Sequence, residues 1–156
     1  MKKILFTGLF LMFVAVPSAM ASHYDLLDID IVSEEVSAKL VQDKIDTTED
    51  LFALLISKQG RADFSKKYGM KPEEVELLAQ KLELMQIVGV GPKAAKLLQL
   101  ANIDSLKALT AADPEILLEQ LIKVNREHAI TGVQPDLVVV RDWINKAKRI
   151  PNHMER

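Results

Sequence analysis

The chain predicts an all-α fold, and three observations carry that prediction. Apolar residues recur at helical rather than alternating spacing in nearly every segment, and caps and glycines punctuate those segments. Residues 84–98 read as helix, tight glycine turn, helix, and a degraded copy of that unit lies 58 positions earlier. The expected architecture is a compact helical domain of two helix-hairpin-helix units, the first degenerate, with connecting helices.

In chain order, Lys2 and Lys3 precede an apolar run over residues 4–16 and the small-residue site Ala19-Met20-Ala21. That pattern predicts a secretory signal peptide over residues 1–21, cleaved between Ala21 and Ser22, too short for a lasting membrane span. The expected location is the bacterial periplasm or the medium. No cysteine occurs anywhere, so neither a lipid-anchored start nor a disulfide is available. About 135 residues remain, enough to fold on an apolar core alone. They divide into one domain, residues 22–151, and a tail, residues 152–156.

The degraded copy comes next. Residues 29–51 lie over 87–109, matching Ile29 to Ile87, Leu40 to Leu98, Ile45-Asp46 to Ile103-Asp104 and Leu51 to Leu109. The glycines of the second copy fall on Ile31 and Ser33 of the first, and Pro92-Lys93 falls on Glu34-Glu35. Seven acids and only Lys39 and Lys44 occupy residues 25–46, a composition that repels nucleic acid. Acids in a first helical turn also stabilise the helix through its dipole, which explains Glu34 and Glu35 structurally.

Thr47 or Thr48 caps a predicted helix through about Lys58, with Leu51, Leu54 and Leu55 on one face. Gly60 starts a short piece that Gly69 ends. Pro72 opens a longer helix to Met85, with Val75, Leu78, Leu82 and Met85 at helical spacing. Asp104 or Ser105 caps a short helix after the second hairpin, and Asp113-Pro114 opens one to about His128. The last begins at residues 134–136 and runs to about Lys148. Leu137 to Val140 are apolar and largely β-branched, but Asp136 before them and Trp143, Ile144 and Ala147 after them favour a helix. Leu40, Leu51, Ile87, Leu97, Leu98, Leu109 and Trp143 are the expected core, Trp143 anchoring the last helix.

The second hairpin carries the candidate chemistry. Gly89 and Gly91 flank Val90 and are expected to supply positive φ. Pro92 suits a first helical position, and the free amides of that turn, with the dipole, form a natural anion site that Lys93 and Lys96 flank. The candidate phosphate-binding residues are therefore Gly89, Val90, Gly91, Lys93 and Lys96. A second basic cluster, Arg141, Lys146, Lys148 and Arg149, reads equally well as a solvated helix end.

Charge argues against a dedicated nucleic-acid binder. Without Lys2 and Lys3, 18 basic face 22 acidic side chains, a net charge of −4. Such domains are normally basic, since neutralising phosphates supplies most of their affinity. His23, His128 and His153 have no metal-binding spacing, and no nucleophile pattern occurs. No catalytic residues, metal or cofactor are expected.

The order of these features resembles the bacterial domain-of-unknown-function family DUF4332. The residues that carry the resemblance are 45–51, 84–91, Ile103-Asp104-Ser105-Leu106, Asn125, Pro135, Asp142-Trp143-Ile144 and Ala147-Lys148. The resemblance implies a tandem helix-hairpin-helix fold and no enzymatic activity. It departs at the first hairpin, which lacks the family's glycines. Nucleic-acid binding, carried over from helix-hairpin-helix proteins at large, applies only to Gly89, Val90, Gly91 and Lys93. The expected function is a non-enzymatic exported module in the cell envelope, bound to another envelope protein or a larger assembly. The alternative is weak, sequence-independent DNA binding through the Gly-Val-Gly hairpin, as in DNA uptake.

Overall fold

Helix starts in this chain are written by their caps. The computed structural model describes residues 23–151 and 153–156, so the predicted signal peptide and its cleavage point lie outside the described residues. Ser33 opens α1 (Glu34–Gln42), and Thr47 opens α2 (Thr48–Leu55) in a reciprocal capping box with Asp50. Ser57 opens α3 (Lys58–Tyr68), and Pro72 is the first residue of α4 (Pro72–Met85). After the glycine turn come α5 (Pro92–Leu100), then α6 (Leu106–Ala111) under Ser105. Asp113 caps α7 (Pro114–His128) and Asp136 caps α8 (Leu137–Ala147). Among the described residues there are eight helices and no sheet, only an isolated bridge between Asp25 and Thr47.

Two boundaries differ from the sequence reading. The helix expected to reach Lys58 ends at Leu55, because Ser57 is extended and its hydroxyl accepts the Gly60 N–H at 2.9 Å. Gly60 does not start a short piece but sits in the first turn of the 11-residue α3. A Cβ there would stand 2.0 Å from the Leu54 carbonyl oxygen, so the close approach of two backbones requires glycine.

The 58-residue repeat is legible in backbone detail. In both halves a nine-residue helix ends in a left-handed residue, Lys44 and Asn102, each with φ of +62°. Just beyond, the N–H groups of Ile45 and Ile103 return to the carbonyls of Leu40 and Leu98, both at 2.9 Å. A hydroxyl-capped helix follows in each. Among the described residues no helix precedes the first hairpin, and residues 25–33 form mainly turns and bends.

Each half has its own core, and α4 runs through both. Val75, Leu78, Ala79 and Leu82 pack with Leu40, Leu51 and Phe64, while Leu84 and Met85 pack with Ile87, Leu97, Leu98, Leu109 and Trp143. All seven residues expected to form the core are buried. No helix among the described residues is long and apolar enough to cross a membrane.

The C-terminal residues pack rather than trail. Met154 is buried in the first core, and the Glu155 N–H donates to the Ile56 carbonyl at 3.0 Å. Buried Arg61 donates to the carbonyls of Leu55 (2.8 Å), Ile56 (3.1 Å) and Glu155 (2.7 Å) and pairs with Glu76 at 2.8 Å. Arg156 pairs with Glu83, whose Oε2 also accepts the Leu106 N–H at 3.3 Å at the start of α6.

Glu83 is buried, and its Oε1 has no partner among the described residues. Burial pushes its carboxyl above the usual range, only partly offset by Arg156. A raised pKa in the folded state means that Glu83 favours folding most below its unfolded pKa, and that this contribution is lost as pH rises through the folded one. The exposed carboxylates Glu35, Asp43 and Asp50 are shifted down by their hydrogen bonds and give the opposite slope. Those groups are common to the parent and Glu83→Gln, so they cancel in the difference. Melting from about pH 4 to about pH 7 should therefore show the parent losing ground to Glu83→Gln as pH rises. A difference that does not change with pH shows instead that Arg156 fully compensates the burial.

Candidate binding groove

The turn between α4 and α5 depends on one glycine more than the other. The Val90 N–H closes it on the Ile87 carbonyl at 2.8 Å, leaving Gly89 in the third position with φ of +96°. That is where a type II turn demands positive φ. Gly91, expected to share this role, has φ of −86° and ψ of −177°, ordinary extended backbone. Space is what holds glycine there: a Cβ would meet the Tyr24 hydroxyl at 2.8 Å. Tyr24 is tied to the start of α2 by bonds with Thr48 in both directions, at 2.9 and 3.1 Å, so the first half reaches across onto the second hairpin.

The two glycines therefore fail differently. A Cβ on Gly89 meets only Trp143 Nε1 at 3.5 Å, an ordinary contact. Gly89→Ala should cost about 1–2 kcal/mol through the backbone alone. Gly91→Ala should destabilise through Tyr24, so Tyr24→Phe in the same chain should relieve it while leaving the Gly89→Ala penalty unchanged. Denaturant titration of the two double variants checks both statements.

The start of α5 is electrostatically open. Serine, threonine or aspartate oxygens cap six of the other helices, and Glu74 accepts the Lys71 N–H at 2.9 Å ahead of α4. No side chain caps α5, and the N–H groups of Gly91, Lys93 and Ala94 have no partner among the described residues. Val90 leaves the candidate set, because its side chain is fully buried and its N–H is spent on the turn. The corresponding turn of α1 is closed. There the Ser33 hydroxyl accepts the Val36 N–H at 3.3 Å, beside Glu34 and Glu35.

Gly91, Lys93 and Lys96 line a groove of about 860 Å³. One wall is the bent segment carrying Asp28, Ile29 and Asp30 of the first half. The floor is the first turns of α5 with Trp143 and Val139 of α8, and the far wall is residues 128–135. Lys81 of α4 joins Lys93 and Lys96, and none of the three has an ion-pair partner among the described residues. Burial and repulsion from Lys96 push the Lys81 ammonium below its usual range, against the attraction of Asp30. Gly89 lies outside the groove lining.

The far wall is built, not loose. Ala129 adopts φ of +49° at the end of α7, and buried Asn125 clamps Thr131 by accepting its N–H and donating to its carbonyl, both at 2.9 Å. His128 lies at this wall, at the helix end; His23 pairs with Glu49 at 3.2 Å, and His153 is exposed. The second basic cluster is dispersed. Arg141 pairs with Glu115, and Lys146 pairs with Asp142 at 2.6 Å and donates to the Val88 carbonyl at 3.1 Å. Sequence reading missed Lys81, Asp28, Asp30 and the segment after Asn125. Their meeting depends on packing between the halves, for which no local pattern exists.

Among the described residues, no three His, Asp or Glu side chains are grouped so as to hold a metal ion. The family model described as Domain of unknown function (DUF4332) matches residues 31–150. No curated protein and no solved structure matches the chain.

Proposed function

The chain belongs to the DUF4332 family, and from that footing we propose that it is a non-enzymatic, exported helical module that binds another protein of the bacterial envelope. The groove between the two halves is its recognition site. One observation carries the reading: a preformed groove of about 860 Å³ that sets Val139 and Trp143 beside Lys81, Lys93 and Lys96, the mix of apolar and aromatic centre with polar rim found where proteins meet. The predicted signal peptide supports the location. The missing nucleophile and metal-ligand patterns in the sequence support a binding role over a catalytic one.

Sequence-independent DNA binding is the competing reading, and the exposed Lys93 and the uncapped start of α5 favour it. Asp28 and Asp30 weigh against it, since they face the same groove and oppose a continuous run of phosphates. The experiment is fluorescence anisotropy of a labelled duplex titrated with the purified protein at low ionic strength, where phosphate contacts are strongest. No binding there is the expected result. Salt-sensitive binding that Lys93→Glu abolishes overturns the protein-binding reading in favour of DNA handling.

A further inference from the structure

Resting on that reading of the groove, we infer that its occupant is an extended protein segment carrying one aspartate or glutamate with apolar residues on both sides. The cations define the centre. Lys81 and Lys96 line not only the main groove but also a second one of about 430 Å³ along α4 and α5. The two hollows thus adjoin, with Lys81 and Lys96 lining both. Exposed Leu77 and Leu100 lie at one end, and Val133 (82% exposed) and Val139 at the other. A track that is apolar, cationic and apolar in turn suits an extended chain that is apolar, anionic and apolar.

Two features call for the anion. Lys93 and Lys96 are exposed without an ion-pair partner among the described residues, and the opening turn of α5 has unused N–H groups. Asp28 and Asp30 limit the anion to a single group. Against three lysines they leave the groove one positive charge in excess, enough for one carboxylate and repulsive to a polyanion.

The test is a random peptide library displayed on phage and panned against the purified protein, followed by calorimetry on a synthetic peptide of the enriched sequence. The expected consensus is an acid with apolar residues on either side. Its affinity should fall about tenfold or more in Lys96→Glu, the scale of one lost charge-assisted contact, and be unchanged in Lys66→Glu on α3. An enriched sequence without an acid, whose binding Val133→Glu still disrupts, overturns this proposal and leaves the groove a protein-binding site. Acidic peptides indifferent to Lys96→Glu also overturn it, as does a library that yields no binder. Displacement of the peptide by duplex DNA overturns both this proposal and the function it rests on.

Discussion

Replacing Trp143 with alanine should lower the stability of the fold by about 3–5 kcal/mol, the usual loss when a buried indole is removed. The side chain is 5% exposed and belongs to the second core, between Val140 and Ile144 on its own helix and Gly89 of the hairpin. Val140, Ile144 and Ala147 of α8 share that core with Ile87 and Val90 of the hairpin, and the Lys146 bond to the Val88 carbonyl lies at the surface. Because Trp143 is the single tryptophan, its loss removes the fluorescence signal, and circular dichroism in denaturant is the appropriate readout. Trp143→Phe should recover most of the loss. If Trp143→Ala melts like the parent, α8 does not form the groove floor.

Leu98→Ala should cost about 2–5 kcal/mol, and Leu40→Ala, its counterpart in the repeat, a similar amount. Both leucines are fully buried, each in the core of its own half. Each accepts, at its carbonyl, the N–H of the isoleucine that follows the left-handed turn. Since α4 contributes to both cores, either truncation should lower one cooperative transition rather than melt half the chain. With no shared core cluster, the double variant should lose roughly the sum. Differential scanning calorimetry distinguishes these outcomes; two separated transitions contradict the continuity of α4.

Local physics explains what could be read from the residues. Caps at Thr47, Ser105, Asp113 and Asp136, and proline at residues 72, 92 and 114, are decided within a turn of chain, and the structure places all of them at helix starts. The repeat was legible because equivalent packing positions need equivalent side chains, down to the paired left-handed residues Lys44 and Asn102. The break at Ser57 was hidden because Leu51, Leu54 and Leu55 keep helical spacing up to it. Alongside the Ser57 cap, Arg61 and the distant Glu155 take up the backbone groups around the break. Sequence alone suggests that Gly91 supplies positive φ, but the constraint is the Tyr24 hydroxyl, 67 positions away in the chain.

The candidate site was half legible for the same reason. Lys93, Lys96 and Gly91 belong to a recognisable turn, and they do share one groove. Lys81 sits between buried Leu78 and Leu82 and reads locally as an ordinary solvated lysine. Asp28 and Asp30 read as part of a generally acidic segment, yet they face the lysines and decide how much negative charge the groove accepts. Asn125, noted only through the family resemblance, proves to be the clamp that shapes the far wall.

The central claim is that this groove engages a protein in the living cell, and site-specific photo-cross-linking tests it most directly. A photoreactive residue at Val133, on the groove rim, should give a discrete protein adduct that Lys96→Glu removes. The same probe at exposed Lys66 on α3 should give none. Adducts of equal yield from both positions, or a nucleic-acid adduct from Val133, contradict the account.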